Sequence, residues 1–87
     1  MTMQANGDLV LVARSSSRQL WHSDTAGTGY RAIMQADGNL VVYDRQVYGV
    51  WSTLTGGHDG AVLEFTGAGD VEVRYQDKML WSAGTLA

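Results

Sequence analysis

Hydrophobic residues in this chain come in short runs rather than along a helical stripe. No window carries apolar residues at i, i+3, i+4 and i+7 over three turns, and the 11 glycines break most stretches where a helix could start. The runs have the β-branched and aromatic content of strands: Leu9–Val12, Leu40–Tyr43 and Val71–Tyr75 each follow a polar turn. Asn6-Gly7, Asp37-Gly38 and Ala68-Gly69 fit the two-residue turns that close hairpins, because glycine takes positive φ without steric cost. Further strands are expected at 20–23, 30–35, 50–53, 61–66 and 80–83, with turns at 27–29, 56–60 and 67–69. No proline interrupts a ladder.

The pattern is periodic. Trp21, Trp51 and Trp81 stand 30 residues apart, and each opens a phrase Trp-x-x-x-Thr that ends at Thr25, Thr55 or Thr85. The turn glycines Gly7, Gly38 and Gly69 recur every 31 residues. An interval of this size means one supersecondary unit used three times. The copies, at about 3–27, 34–57 and 65–87, make a single all-β domain over 1–87 with approximate threefold internal symmetry. A Trp from each copy is the expected core filler. Alternation within Leu40–Tyr43 sends Leu40 and Val42 to one side and Val41 and Tyr43 to the other. With Leu40 and Val42 inward, Val41 and Tyr43 face solvent.

Composition narrows the function. A chain of 87 residues is one small domain with a thin core, which contacts between copies would support. It has no cysteine, and residues 1–12 have neither a basic start nor an apolar run long enough for a signal peptide, so a cytoplasmic location or release without a classical signal is expected. Apolar stretches of four or five residues cannot span a bilayer. A net charge of −3 with six scattered basic residues argues against nucleic acid.

The middle copy carries Gln35-x-Asp37-x-Asn39-x-Val41-x-Tyr43. A structural hairpin needs the glycine and the β-run; it does not need Gln, Asp, Asn and Tyr at fixed offsets. Together these supply carboxylate acceptors, amide donors and acceptors, and a phenol beside apolar methyls. That mixture suits a polyhydroxylated ligand, whose hydroxyls donate and accept while its C–H face packs on apolar atoms.

Set on a repeat of about 30 residues with a Trp after each copy, the motif resembles the signature of the monocot (bulb-type) mannose-binding lectins, and the resemblance covers nearly the whole chain. It implies a β-prism of three antiparallel, four-stranded sheets, each able to hold one mannose pocket. It also implies that Gln35 bonds the sugar O3, Asp37 and Asn39 the axial O2, and Tyr43 the O4, with Val41 packed on the ring carbons. The axial O2 separates mannose from glucose, so selectivity would lie with Asp37 and Asn39.

The other copies depart from this pattern. The first reads Gln4, Asn6, Asp8, Val10, Val12, with acid and amide exchanged and the phenol gone, so a degenerate second site at Gln4, Asn6, Asp8 and Val10 binds weakly or not at all. The third reads Thr66, Ala68, Asp70, Glu72, Arg74 and is expected to be dead, with charge where a sugar face should rest. Family members also carry a strand-bearing segment before the first motif, where this chain has Met1 and Thr2. A prism strand is therefore expected to be missing, replaced by the tail 84–87, or supplied by another copy, which points to a homo-oligomer formed by strand exchange.

Enzyme readings have little support. His22 and His58 are isolated, Ser15-Ser16-Ser17 has the look of a loop tip, and the carboxylates form no specific pair. Asp37-x-Asn39 starts like a calcium loop but continues with Val41, and the glycine-rich stretch 56–60 has the composition of a calcium-binding repeat yet occurs once. No metal or cofactor is expected. The expected function is a noncatalytic lectin for terminal mannose or mannose-rich glycans, with its main site in the middle copy. The alternative is a structural, self-assembling β-prism protein with residual or no sugar binding.

Overall fold

The computed structural model describes residues 1–13, 16–67 and 69–85. The expectations placed on Ser15, on Ala68 as a turn and site residue, and on the end of the 84–87 tail at Leu86 and Ala87 lie outside the described residues. Nine strands follow in chain order: β1 (Thr2–Met3), β2 (Leu9–Val12), β3 (Gln19–His22), β4 (Arg31–Met34), β5 (Leu40–Tyr43), β6 (Gly49–Ser52), β7 (Val62–Phe65), β8 (Val71–Tyr75) and β9 (Lys78–Ser82). They form three sheets in the orders β1-β2-β3, β4-β5-β6 and β7-β8-β9, one per copy of the repeat. No helix is present among the described residues. Three strands per sheet are described where the family resemblance implied four.

Strands β2, β5 and β8 match the sequence expectation in both bounds, the ends of β3, β4, β6, β7 and β9 move by one or two residues, and β1 was not expected. The turns differ. Gln35 N–H donates to Asn39 O at 2.9 Å and Gly38 N–H to Gln35 O at 3.1 Å, with Gly38 at φ +93°. That is a three-residue loop, a tight turn followed by a left-handed glycine, instead of the expected two-residue turn. The first copy repeats it, with Gly7 N–H on Gln4 O at 3.0 Å, and in the third Gly69 N–H donates to Thr66 O at 3.2 Å. In the first and middle copies the polar residue before the glycine supports this turn. Asp37 Oδ1 accepts from Asn39 N–H at 3.0 Å and Asn6 Oδ1 from Asp8 N–H at 3.0 Å, closing a local ring that holds the extra residue in place.

The chain divides into two compact units, residues 1–33 with 41–51, and residues 34–40 with 52–87. In the first unit Leu9, Val10, Leu11, Val41 and Val42 are buried, and in the second Leu40, Ala61, Val71 and Val73. Val41 is 6 % exposed, which corrects the expectation that it faces solvent. The physical reason is that β2 and β5 are continuous apolar runs covered on both faces, so alternation does not separate an inner from an outer side. The tryptophans are half-buried; the fully buried side chains are Val10, Val42, Val71 and Val73. In the first unit Trp21 and Trp51 pack ring against ring, with centroids 5.3 Å apart and planes tilted by 59°.

Candidate functional site

The phrase Trp-x-x-x-Thr and the polar residue before each central strand turn out to be two halves of one device. In the first copy Asp8 Oδ1 accepts from Thr25 N–H at 3.1 Å, and Thr25 Oγ1 donates to Gly7 O at 2.7 Å. In the middle copy Asn39 Oδ1 accepts from Thr55 N–H at 3.2 Å, and Thr55 Oγ1 donates to Gly38 O at 2.6 Å. In the third Asp70 Oδ1 accepts from Thr85 N–H at 3.2 Å, and Thr85 Oγ1 donates to Gly69 O at 2.8 Å. Each staple fastens a hairpin turn to the segment that leaves the third strand of its copy. The residue before each Thr is left-handed (Asp24 φ 61°, Leu54 φ 57°, Gly84 φ 73°), which turns the Thr amide and hydroxyl toward the hairpin.

Asn39 therefore has a structural duty that its place in the sugar motif does not announce. Its Oδ1 also accepts from Thr53 Oγ1 at 3.2 Å, and Thr53 Oγ1 in turn accepts from Leu40 N–H at 3.1 Å. The carbonyl oxygen of Asn39 is thus engaged on its neighbours, and the group it can offer a ligand is Nδ2. Asp37 is exposed, with Oδ1 held by the Asn39 amide. Gln35 is half-buried. These three belong to the second unit, whereas Val41 and Tyr43 belong to the first. There Val41 has no side chain opposite it at Gly49, and half-buried Tyr43 accepts from Tyr30 N–H through its backbone oxygen at 2.7 Å.

The residues of the degenerate second site are separated by burial. Gln4 and Asn6 are exposed and line an open groove of about 730 Å³, but Asp8 and Val10 are 7 % and 1 % exposed. Both oxygens of Asp8 are engaged: Oδ1 by Ser23 and Thr25, and Oδ2 by His22 Nδ1 at 2.8 Å. Asp8 and Val10 are therefore closed to a sugar, because the exchange of Asn for Asp put a carboxylate where it collects hydrogen bonds from all sides. In the third copy Arg74 reaches Glu72 at 2.9 Å and Glu64 at 3.6 Å, and donates to Asp77 O at 3.2 Å. The charges foreseen at a dead site pair with one another.

Burial pushes the carboxyl of Asp8 up, but the hydrogen bonds from the Thr25 amide, His22 and Ser23 outweigh it and hold Asp8 below its ordinary 3.8. Burial likewise raises Asp70, and the amides of Thr85, Val71 and Gly84 with the Thr85 hydroxyl more than reverse it from 3.8. A carboxyl depressed in the folded state binds fewer protons there than in the unfolded chain, so its stabilisation is complete above the unfolded value. It is lost as pH falls from about 4 through the folded values. Urea unfolding is therefore expected to give a flat contribution from these two groups between pH 7 and 5 and a decline below pH 4. Replacing both by Asn, which keeps an Oδ1 acceptor as at Asn39, should flatten that decline; an unchanged acid slope would contradict the assignment.

No family sequence model and no curated protein sequence matches the chain. Solved structures are similar. A monocot mannose-binding lectin of Gastrodia elata, described as monomeric, matches with a TM-score of 0.83 and 30% identity over 98% of this chain and 78% of its own. The mannose-specific agglutinin of snowdrop bulbs (Galanthus nivalis), solved with methyl-α-D-mannoside, matches with a TM-score of 0.71 and 32% identity over 98% of this chain and 77% of its own. A lectin of Polygonatum cyrtonema, solved with a monomannoside, is 32% identical over 93% of this chain and 72% of its own, with a TM-score of 0.60. This chain has three antiparallel sheets, one per copy of its repeat, and is alike in sequence and in fold to these lectins; it belongs to the monocot mannose-binding lectin family of β-prism proteins.

Proposed function

We propose that this protein binds glycans ending in mannose, without catalysis, through Gln35, Asp37, Asn39 and Tyr43; Val41, 6 % exposed, is buried and offers a sugar no open surface. Its relatives are lectins, and carbohydrate binding is the activity that family membership supports. The observation that carries the assignment is how the middle turn fixes its polar groups. Asp37 and Asn39 are each anchored through Oδ1, so Asp37 Oδ2 and Asn39 Nδ2 form a pre-oriented acceptor and donor two residues apart. Groups held in place before binding lose little freedom when a ligand arrives. The first and third copies lack this pair, having an acid in place of the amide.

A shallow site with four or five hydrogen bonds binds a monosaccharide at about millimolar Kd, roughly −4 kcal/mol. Titration with methyl α-mannoside, followed by calorimetry or NMR, is expected to give that affinity for the parent. Asp37→Ala, which removes an exposed acceptor, should weaken it at least about tenfold with little effect on folding. Equal binding by the two proteins would remove the assignment. We also propose self-association by strand exchange at a sheet edge, which would raise avidity for multivalent glycans; sedimentation showing only monomer at every concentration would dismiss it.

A structural β-prism with little sugar binding is favoured by one observation: the staple explains an Asn or Asp at position 39 in all three copies without any ligand. It does not explain Asp37 together with an amide at 39. The mannoside titration separates the two readings.

A further inference from the structure

We propose that the open groove of the first unit is a second saccharide site, for a glycan bearing a carboxylate and distinct from the mannose motif. At about 730 Å³ it falls within the range of small-ligand pockets. Its polar side chains come from three separate segments: Gln4 and Asn6 on the first turn, Thr28 and Tyr30 before β4, and Asp44, Arg45 and Gln46 on the turn after β5. Backbone bonds tie these walls, Gly27 N–H to Asn6 O at 2.7 Å and Tyr30 N–H to Tyr43 O at 2.7 Å, so the groove exists before a ligand arrives.

Arg45 sets the ligand class. Its guanidinium carbon lies 4.8 Å from the centre of the Tyr30 ring. Stacking covers one face of the guanidinium and leaves the N–H groups at its edge, whose fork matches the two oxygens of a carboxylate. Among the described residues no carboxylate forms an ion pair with Arg45. The neighbouring Asp44 turns Oδ1 into its own loop, accepting from Gln46 N–H and Tyr48 N–H at 2.9 Å each. Three primary amides and a Thr hydroxyl supply the mixed donors and acceptors that vicinal hydroxyls require. Tyr30, 52 % exposed, offers ring surface for sugar C–H groups. A neutral hexose would leave the guanidinium without a planar acceptor; a uronate or another carboxylated sugar provides one.

The test is an NMR titration of the whole chain at low salt with digalacturonate and, in parallel, a neutral dimannoside. The uronate is expected to shift the amides of Asn6, Thr28 and Gln46, and Arg45→Gln should weaken it about tenfold while leaving the methyl α-mannoside response of the parent. Arg45→Lys, which keeps charge but loses the fork, should fall between the two. Asp37→Ala should leave the uronate response intact, so failure of the mannose reading and failure of this one are distinguishable. Absent shifts at those amides, an equal response there to the neutral disaccharide, or Arg45 variants titrating like the parent would overturn the proposal. If Arg45→Gln did not fold, the Arg45→Lys arm would decide.

Discussion

Asn39→Asp is expected to abolish measurable mannoside binding while changing stability by no more than about 1 kcal/mol. The stability half follows from the internal repeat. Asp8 and Asp70 hold the same staple with a carboxylate oxygen that Asn39 holds with an amide oxygen. An aspartate at 39 can therefore still accept from Thr53 Oγ1 and Thr55 N–H. The binding half follows from what is lost: Nδ2 is the only donor on this side chain, and a carboxylate at neutral pH has none. The new charge also stands two residues from Asp37, so the side chains at 37 and 39 offer acceptors only. Starting from a millimolar Kd, a loss of tenfold or more moves binding beyond ordinary titration. Asn39→Ala is the less informative change, because it strips the staple as well and leaves the Thr55 amide without its acceptor, at about 1–3 kcal/mol. Denaturation midpoints and a mannoside titration on the same samples check both halves. An Asn39→Asp protein that binds like the parent would disprove the donor role, and one that fails to fold would disprove the equivalence of the three staples.

Gly29→Ala is expected to lower the stability of the chain severely, by about 4 kcal/mol. A Cβ built on Gly29 would lie 2.0 Å from the carbonyl oxygen of Gly7 and 3.0 Å from Thr25 Oγ1. The carbonyl belongs to the turn and is itself fixed by the Thr25 hydroxyl at 2.7 Å, so neither partner can give way cheaply. Separating them breaks the Gly27–Asn6 and Thr25–Gly7 bonds and loosens the buried Asp8 cluster. A loss of about 4 kcal/mol is in keeping with such a clash. A domain of this size has only about 4–13 kcal/mol in total. Gly67→Ala is the matched control: it meets nothing within 4 Å and has ordinary φ, so its cost should stay within about 0.5 kcal/mol. Circular dichroism melts of both variants decide it; a Gly29→Ala midpoint near the parent's would show the contact is softer than the geometry implies.

The strands were legible because they depend on local pattern. Leu9–Val12, Leu40–Tyr43 and Val71–Tyr75 are β-rich runs after a glycine turn, and the structure keeps those bounds. Facing was not legible at Val41, since alternation separates two sides only when one of them is wet. Turn length was misjudged because the Asp37 and Asn6 side chains stabilise an added residue that a glycine pair alone does not reveal. The staple was missed although its signal was present: Asp8, Asn39 and Asp70 run in step with Thr25, Thr55 and Thr85. At Asn39 the sugar motif masks this second role, which shows only when the three copies are aligned on their Thr residues. The groove had no sequence signal, because Gln4, Thr28 and Arg45 lie in segments far apart in the chain and meet only after folding.

The identity of the sugar-binding residues is tested most directly by a crystal of the parent protein grown with methyl α-mannoside. The account predicts density for the sugar against Gln35, Asp37, Asn39 and Tyr43, with Asn39 Nδ2 and Asp37 Oδ2 on the axial hydroxyl and no sugar against Glu72 and Arg74. Mannoside bound elsewhere while that face stays empty at saturating sugar would contradict it.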